Sequence, residues 1–269
     1  MRATIGALLL VFTGSGAASA ASVLFDFNDG PQYAPLPLDL TVGGVQAHFS
    51  ATGQGFSIQN TAQVIGVLPS GFSGLGIVPS SVYPADLLIS FPQTALTDLS
   101  ILFAPQELAL DTSATLRITA YRQGAAVGTS TTVADPPGTW PSGTLSFHWA
   151  DTFDSVTIHY DKPPPGASEN WGPIFVADNL LVTPALPGDV NGDGRVDLTD
   201  FGLLKAHFGE PGGRTQGDLD GNGHIDLSDF GQLKANFGAS GAAVPEPSGW
   251  GLALLGAACG MWGLRRRAR

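Results

Sequence analysis

Residues 189–200 read DVNGDGRVDLTD, and residues 218–229 read DLDGNGHIDLSD. One twelve-residue pattern is written twice, its start moving 29 positions from Asp189 to Asp218. Each copy opens with Asp and carries oxygen-bearing side chains at loop positions 3, 5 and 9. Each has Gly at position 6 and a carboxylate at position 12. Oxygen donors at this spacing suit a hard cation of the calcium type, which takes six to eight oxygens around a loop that turns sharply at its sixth residue. In the first loop the expected ligands are Asp189, Asn191, Asp193, the backbone carbonyl of Arg195, Asp197 through water, and Asp200. In the second they are Asp218, Asp220, Asn222, the carbonyl of His224, Asp226 and Asp229. Gly194 and Gly223 supply the turn, since glycine reaches positive φ without a steric cost.

The copies also agree outside the loops: DFGLLKAHFG (200–209) aligns with DFGQLKANFG (229–238). After each loop apolar residues recur at helical spacing, Leu198, Phe201, Leu204 and Phe208, then Leu227, Phe230, Leu233 and Phe237. One stripe cannot bury itself alone, so the two helices are expected to share a small core. Gly209 and Gly238 stand where helix C-terminal caps belong. No helical pattern precedes either loop: Pro184 to Pro187 lead into the first, and Gly212, Gly213 and Arg214 into the second.

A loop followed by a helix, duplicated over residues 188–238 with Asp at position 12, resembles the type I dockerin family of calcium-binding, EF-hand-type modules. That resemblance implies two bound calcium ions and a cohesin domain as protein partner. It places partner contacts at Leu198, Thr199 and Lys205 and at Leu227, Ser228 and Lys234. Relatives often carry a Ser-Thr pair where this chain has Leu198-Thr199 and Leu227-Ser228. They also often carry a second basic residue where it has Ala206 and Ala235.

Residues 1–20 read as a secretory signal, with Arg2, an apolar stretch from Ile5 to Phe12 and an A-x-A site at Ala18-Ser19-Ala20. At the other end Pro245, Glu246 and Pro247 precede an apolar run, Gly249 to Leu264, and the cluster Arg265, Arg266, Arg267 and Arg269. This order is similar to the PEP-CTERM sorting signal. It implies a transmembrane sorting helix, processing by an exosortase, and delivery to a bacterial envelope, cell surface or extracellular matrix. A plain C-terminal membrane anchor is the alternative reading. Cys259, the only cysteine, lies in that tail, so stability has to come from a core and from metal ions. Between residues 21 and 243 there are 22 acidic and seven basic residues, a balance that excludes a nucleic-acid partner.

Residues 21–184 are long enough for one real core. Period-two alternation recurs there at Val23, Phe25 and Phe27; Leu116, Ile118 and Ala120; Leu145, Phe147 and Trp149; and Val156, Ile158 and Tyr160. Turn clusters such as Pro69 to Gly76 and Asp135 to Gly138 separate the runs. The chain is therefore mainly β: an antiparallel, jelly-roll-like β-sandwich over 21–184, then a small helical calcium module over 185–240 and the tail over 241–269. FDFND near the start and FVADNLLVTP near the end loosely resemble lectin-like sandwich domains. In such folds the first and last strands are neighbours, which would let Asp26, Asn28, Asp29, Asp178 and Asn179 form a third calcium site.

No catalytic motif stands out: G-x-S-x-G, H-E-x-x-H and a phosphate loop are all absent. His48, His148 and His159 lie in strand-like runs, where solvent-facing or hydrogen-bonded roles are expected. A glycoside hydrolase would need two of Asp86, Asp98, Glu107, Asp111, Asp151, Asp154 and Glu169 placed across a sugar. Tyr33, Tyr83, Trp140 and Trp171 sit in loop-like stretches where an aromatic ring can stack on a sugar or plug an end of the sandwich. The expected role is non-catalytic, with the sandwich binding polysaccharide or attaching the protein to a surface. A polysaccharide-degrading enzyme and a purely structural matrix protein are the alternatives.

Overall fold

The computed structural model describes residues 21–53, 55–81, 83–105, 114–134, 140–162 and 174–240. The signal-like residues 1–20, the sorting tail with Pro245, Glu246 and Pro247, and Glu107, Asp111, Glu169 and Trp171 lie outside the described residues. Among the described residues no helix is long and apolar enough to cross a membrane.

Among the described residues, twelve strands and one short helix precede the duplicated unit. In chain order they are β1 (Val23–Phe25), β2 (Leu38–Val42), β3 (Val45–Ala51), β4 (Phe56–Asn60), α1 (Thr61–Ile65), β5 (Leu75–Pro79), β6 (Leu87–Ser90), β7 (Leu96–Pro105), β8 (Thr115–Arg122), β9 (Ala125–Val133), β10 (Gly143–Phe153), β11 (Ser155–Lys162) and β12 (Phe175–Pro184). They form two antiparallel six-stranded sheets. One runs β10-β7-β12-β5-β4, with β1 also on β12; the other runs β2-β3-β6-β11-β8-β9. First and last strands are neighbours, as expected: Val23, Leu24 and Phe25 pair with Val182, Leu181 and Leu180.

The core between the sheets is one cluster built from alternating inward residues, among them Phe49, Ile89, Ile118, Ile158, Leu99, Phe103 and Phe175. Strands β3 and β8 alternate buried and half-buried positions because one face meets the core and the other water. Strands β7 and β12 are buried on both faces along part of their length. There α1 and the 69–73 loop cover the outer face with Val64, Ile65 and Phe72 over Val78, Ala104 and Val176.

Two sequence expectations are corrected here. Phe27 lies past the end of β1 with φ near 60°, buried all the same. Trp149 follows a break in the β7–β10 register after His148, and this irregularity leaves the indole partly exposed.

The duplicated unit adds α2 (Leu198–Ala206) and α3 (Leu227–Asn236), with a short 3₁₀ turn at Arg214–Gln216 before the second loop. Its core is Val190, Val196, Leu204, Leu219, Ile225 and Leu233, flanked by Phe201 and Phe230 whose ring centres are 6.0 Å apart. Only the middle of each expected stripe is therefore buried. Leu198 and Leu227 sit on the first turn of their helices, and Phe208 and Phe237 lie beyond the last turn, so all four stay exposed. Loop positions 2 and 8 fill the centre in their place.

The halves also close each other. Gly209 N donates to Ile225 O and Ile225 N to Glu210 O, while Gly238 N donates to Val196 O and Val196 N to Ala239 O. Each loop thus pairs with the segment leaving the other half's helix.

Candidate metal centre

Each loop is wound around its first and last carboxylates. Asp189 Oδ1 accepts from Gly192 N (2.7 Å) and Asp193 N (3.2 Å), and its Oδ2 from Gly194 N (2.8 Å). Asp218 does the same with Gly221 N (2.8 Å) and Gly223 N (3.0 Å). These bonds require the chain to double back, and Gly194 and Gly223 do so at φ near 80° and 88°. Asp200 Oδ1 accepts from Val190 N and Asn191 N, and Asp229 Oδ1 from Leu219 N and Asp220 N.

The last carboxylate is also the third residue of its helix. Asp197 and Asp226 are N-caps, accepting from Thr199 N and Ser228 N at 2.7 Å. Asp200 and Asp229 complete the capping boxes by accepting from Asp197 N and Asp226 N at 2.8 Å. One short acid thus ties loop closure to helix initiation. The bonds from Thr199 hold the Asp197 carboxyl below the ordinary carboxylate range.

At positions 3 and 5 the loops mirror each other. Asn191 Nδ2 donates to Asp193 Oδ2 (2.9 Å) in the first, and Asn222 Nδ2 to Asp220 Oδ2 (3.2 Å) in the second. Asp189, Asp200, Asp218 and Asp229 are buried, and burial pushes the carboxyls of Asp189 and Asp218 upward. In the second loop, carboxylate oxygens of Asp218, Asp220 and Asp229 all lie within 4.8 Å of one another. Four carboxylates and one amide oxygen per loop, two of the carboxylates buried, form an oxygen-only donor set that fits a hard divalent cation. Bound there, calcium would supply the positive charge these buried carboxylates lack. Arg195 and His224, whose carbonyls occupy position 7, point their side chains to solvent.

Sequence reasoning missed the basic groups behind the loops. Arg214 is buried and donates through Nη2 to Leu186 O (2.7 Å) and to Asp189 O (2.9 Å). Burial pulls its basicity down, while Asp189 and Asp151 oppose that. Arg122, at the end of β8, binds Asp151 Oδ2 at 2.6 Å and rests against Gly221 of the second loop. The sandwich therefore meets the duplicated unit at the 3₁₀ turn and the second loop. Between them opens a cleft of about 320 Å³, lined by Asp98, His148, Trp149, Thr183, Asn191 and Arg214 among others.

The sandwich candidates separate clearly. His48, His148 and His159 each pair through Nδ1 with an acid, Asp39 (2.7 Å), Asp98 (2.6 Å) and Asp86 (2.7 Å), on the outer sheet faces. Asp151 is held by Arg122, and Asp154 accepts from Gln123 N and Ser155 Oγ. The four described hydrolase candidates are thus all engaged by neighbours. Trp140 donates Nε1 to Pro105 O at 2.7 Å and packs on the Phe72–Val176 cluster, so it plugs the fold. Tyr33 and Tyr83 are 68% and 58% exposed.

No curated protein matches the chain. Among solved structures, the crystal structure of the Agl-KA catalytic domain is similar at 17% identity and a TM-score of 0.37, over 73% of this chain and 33% of that one. A family 29 carbohydrate-binding module is similar at 12% identity and a TM-score of 0.31, over 57% and 92%. TmCBM61 in complex with β-1,4-galactotriose is similar at 5% identity and a TM-score of 0.32, over 52% and 88%. TM-scores this low assign neither a fold nor a ligand to this chain. The local family is a different matter: residues 187–238, holding both loops, both helices and their shared core, match the dockerin type I domain.

Proposed function

We propose that this chain is an exported adaptor in which residues 185–240 bind two calcium ions and dock onto a cohesin-like protein domain, while the sandwich over 21–184 binds polysaccharide or a surface. Asp189, Asn191, Asp193, Asp197, Asp200 and the Arg195 carbonyl hold one ion. Asp218, Asp220, Asn222, Asp226, Asp229 and the His224 carbonyl hold the other. The observation that carries the docking reading is the pair Leu198 and Leu227, 74% and 75% exposed at equivalent first-turn positions. Large apolar groups left in water on two related faces, beside Thr199 and Lys205 or Ser228 and Lys234, suit burial by a partner. Titrating the purified chain over immobilised cohesin domains tests this. Binding should need calcium and should weaken at least tenfold in the Leu198→Asp, Leu227→Asp double variant, whose helical signal stays intact. Binding that survives in chelator, or in that variant, would refute it.

The polysaccharide half is supported by Tyr33 and Tyr83, exposed in the loops before β2 and after β5. Co-sedimentation with insoluble polysaccharides should retain the wild type and lose the Tyr33→Ala, Tyr83→Ala variant. Soluble sugar released into the supernatant would favour the hydrolase alternative. The tail over 241–269 serves as an exosortase-processed address, checked by the mass of the protein recovered from the cell surface.

A further inference from the structure

Arg122 is the last residue of β8 in the sandwich, yet its guanidinium lies on the second loop. Its Cζ and Nε stand 3.2 and 3.3 Å from the point where a Cβ on Gly221 would sit. A carbon–carbon bond is about 1.5 Å, so Cζ is within about 4.7 Å of Gly221 Cα itself. Gly221 is loop position 4, flanked by the expected ligands Asp220 and Asn222. Its amide also donates to Asp218 Oδ1 at 2.8 Å. A permanent positive charge is therefore seated on the backbone that carries the ligands of the expected ion.

This seat is held from behind. Arg122 Nη1 is clamped to Asp151 Oδ2 at 2.6 Å, and the two side chains are only 21% and 24% exposed. Asp151 Oδ2 lies 3.5 Å from the Cβ position of Gly213, at the edge of the 3₁₀ turn. At the same position of the first loop, 29 residues earlier, Gly192 has nothing within 4 Å of its Cβ position among the described residues. The first loop's basic neighbour is Arg214, which comes from the duplicated unit and uses Nη2 on the Leu186 and Asp189 carbonyls. Only the second loop thus borrows its cation from the sandwich. Burial raises the Asp218 carboxyl, and the Arg122 charge is among the groups that pull it back down.

We infer that Arg122 sets the calcium affinity of the second loop, by placing a competing cation from the sandwich beside it. The inference rests on the calcium reading of the loops and adds its regulation. A guanidinium stays charged at any working pH. In the empty loop it relieves part of the repulsion among Asp218, Asp220, Asp226 and Asp229. In the filled loop it repels the divalent ion. Both effects raise the calcium concentration that the loop needs, so the sandwich decides when its own docking module is complete.

Calorimetric titration of the full chain with calcium at low salt reads both sites. Arg122→Gln should tighten one of the two ions about three- to tenfold and leave the other unchanged. Arg122→Lys keeps the charge and should stay at wild-type affinity, a split that a purely structural role would not give. The gain should vanish when Asp218→Asn silences the second loop. It should also shrink at high salt, where screening at about 1 M shortens the reach of a charge to roughly 3 Å. Arg122→Met reads the same quantity should Arg122→Gln fail to fold. Two ions bound by Arg122→Gln as by wild type, or a second-loop ion bound more weakly, would overturn the inference while the calcium reading stands. A chain that takes up no calcium in either loop would end both.

Discussion

Gly188 and Gly217 immediately precede the two loops, at φ of 98° and 119°, and neither has room for a side chain. A Cβ on Gly188 would stand 2.8 Å from Val196 Cγ1, and one on Gly217 2.9 Å from Leu204 Cα. A methyl group on a side chain can shift; the backbone of a helix cannot. Gly217→Ala should therefore destabilise the duplicated unit more than Gly188→Ala, with both costs on the order of 1–3 kcal/mol, read from thermal melts in saturating calcium. Asp178 supplies a test of opposite character. Burial raises its pKa from 3.8 to about 6. In metal-stripped protein the native state therefore holds its proton more tightly than the unfolded chain does. Stability conferred by that proton is full below about pH 4 and is lost as pH rises through about 6. The sandwich transition should then fall across this window, and Asp178→Asn should flatten the profile. The proposed ligands were legible in the sequence because their spacing is a chemical requirement. Arg214 was not, since a buried guanidinium carries no local pattern.

At the scale of elements, the capping boxes explain why each helix begins at loop position 10. The acid that closes the loop also satisfies the helix's free N–H groups, so loop and helix form together. Chelation should therefore cost residues 187–240 most of their helical signal while the sandwich keeps its β signal. Far-UV circular dichroism in calcium and in chelator measures this, and an unchanged spectrum would contradict it. The two long helices were readable from the repeat, but α1 was not. Its only trace is Asn60, whose side chain accepts from Gln63 N, and five residues give too short a run for periodicity to register. The apolar stripes misled at their ends because 3.6-residue spacing shows which positions share a face, not where the neighbouring helix stops.

For the whole molecule, the sandwich and the duplicated unit are joined by charge and backbone together. Arg214 caps the carbonyls of Leu186 and Asp189 at the entry to the first loop while its charge faces Asp151 of β10. Arg214→Met keeps the volume but strands those carbonyls. It should destabilise the duplicated unit by about 2–4 kcal/mol and loosen its seat on β10, seen as faster protease cleavage near Pro187. The alternation of Leu116, Ile118 and Ala120 foretold a two-layer β fold. The order of strands and the contact between the two parts rest on long-range register, which a single sequence does not display.

The reciprocal closure of the two halves gives the chain a mechanical polarity. Ala185 follows directly from β12, and residues 238–240 are clasped onto Arg195 and Val196 of the first loop. A pull that separates residue 240 from the sandwich therefore reaches the Val196–Ala239 bonds before it reaches either helix. The first loop bears the tension and the second is shielded behind it. With α2 held and residue 240 drawn away, the load crosses the two backbone hydrogen bonds at Val196 before it reaches α3, and those bonds act as the fuse.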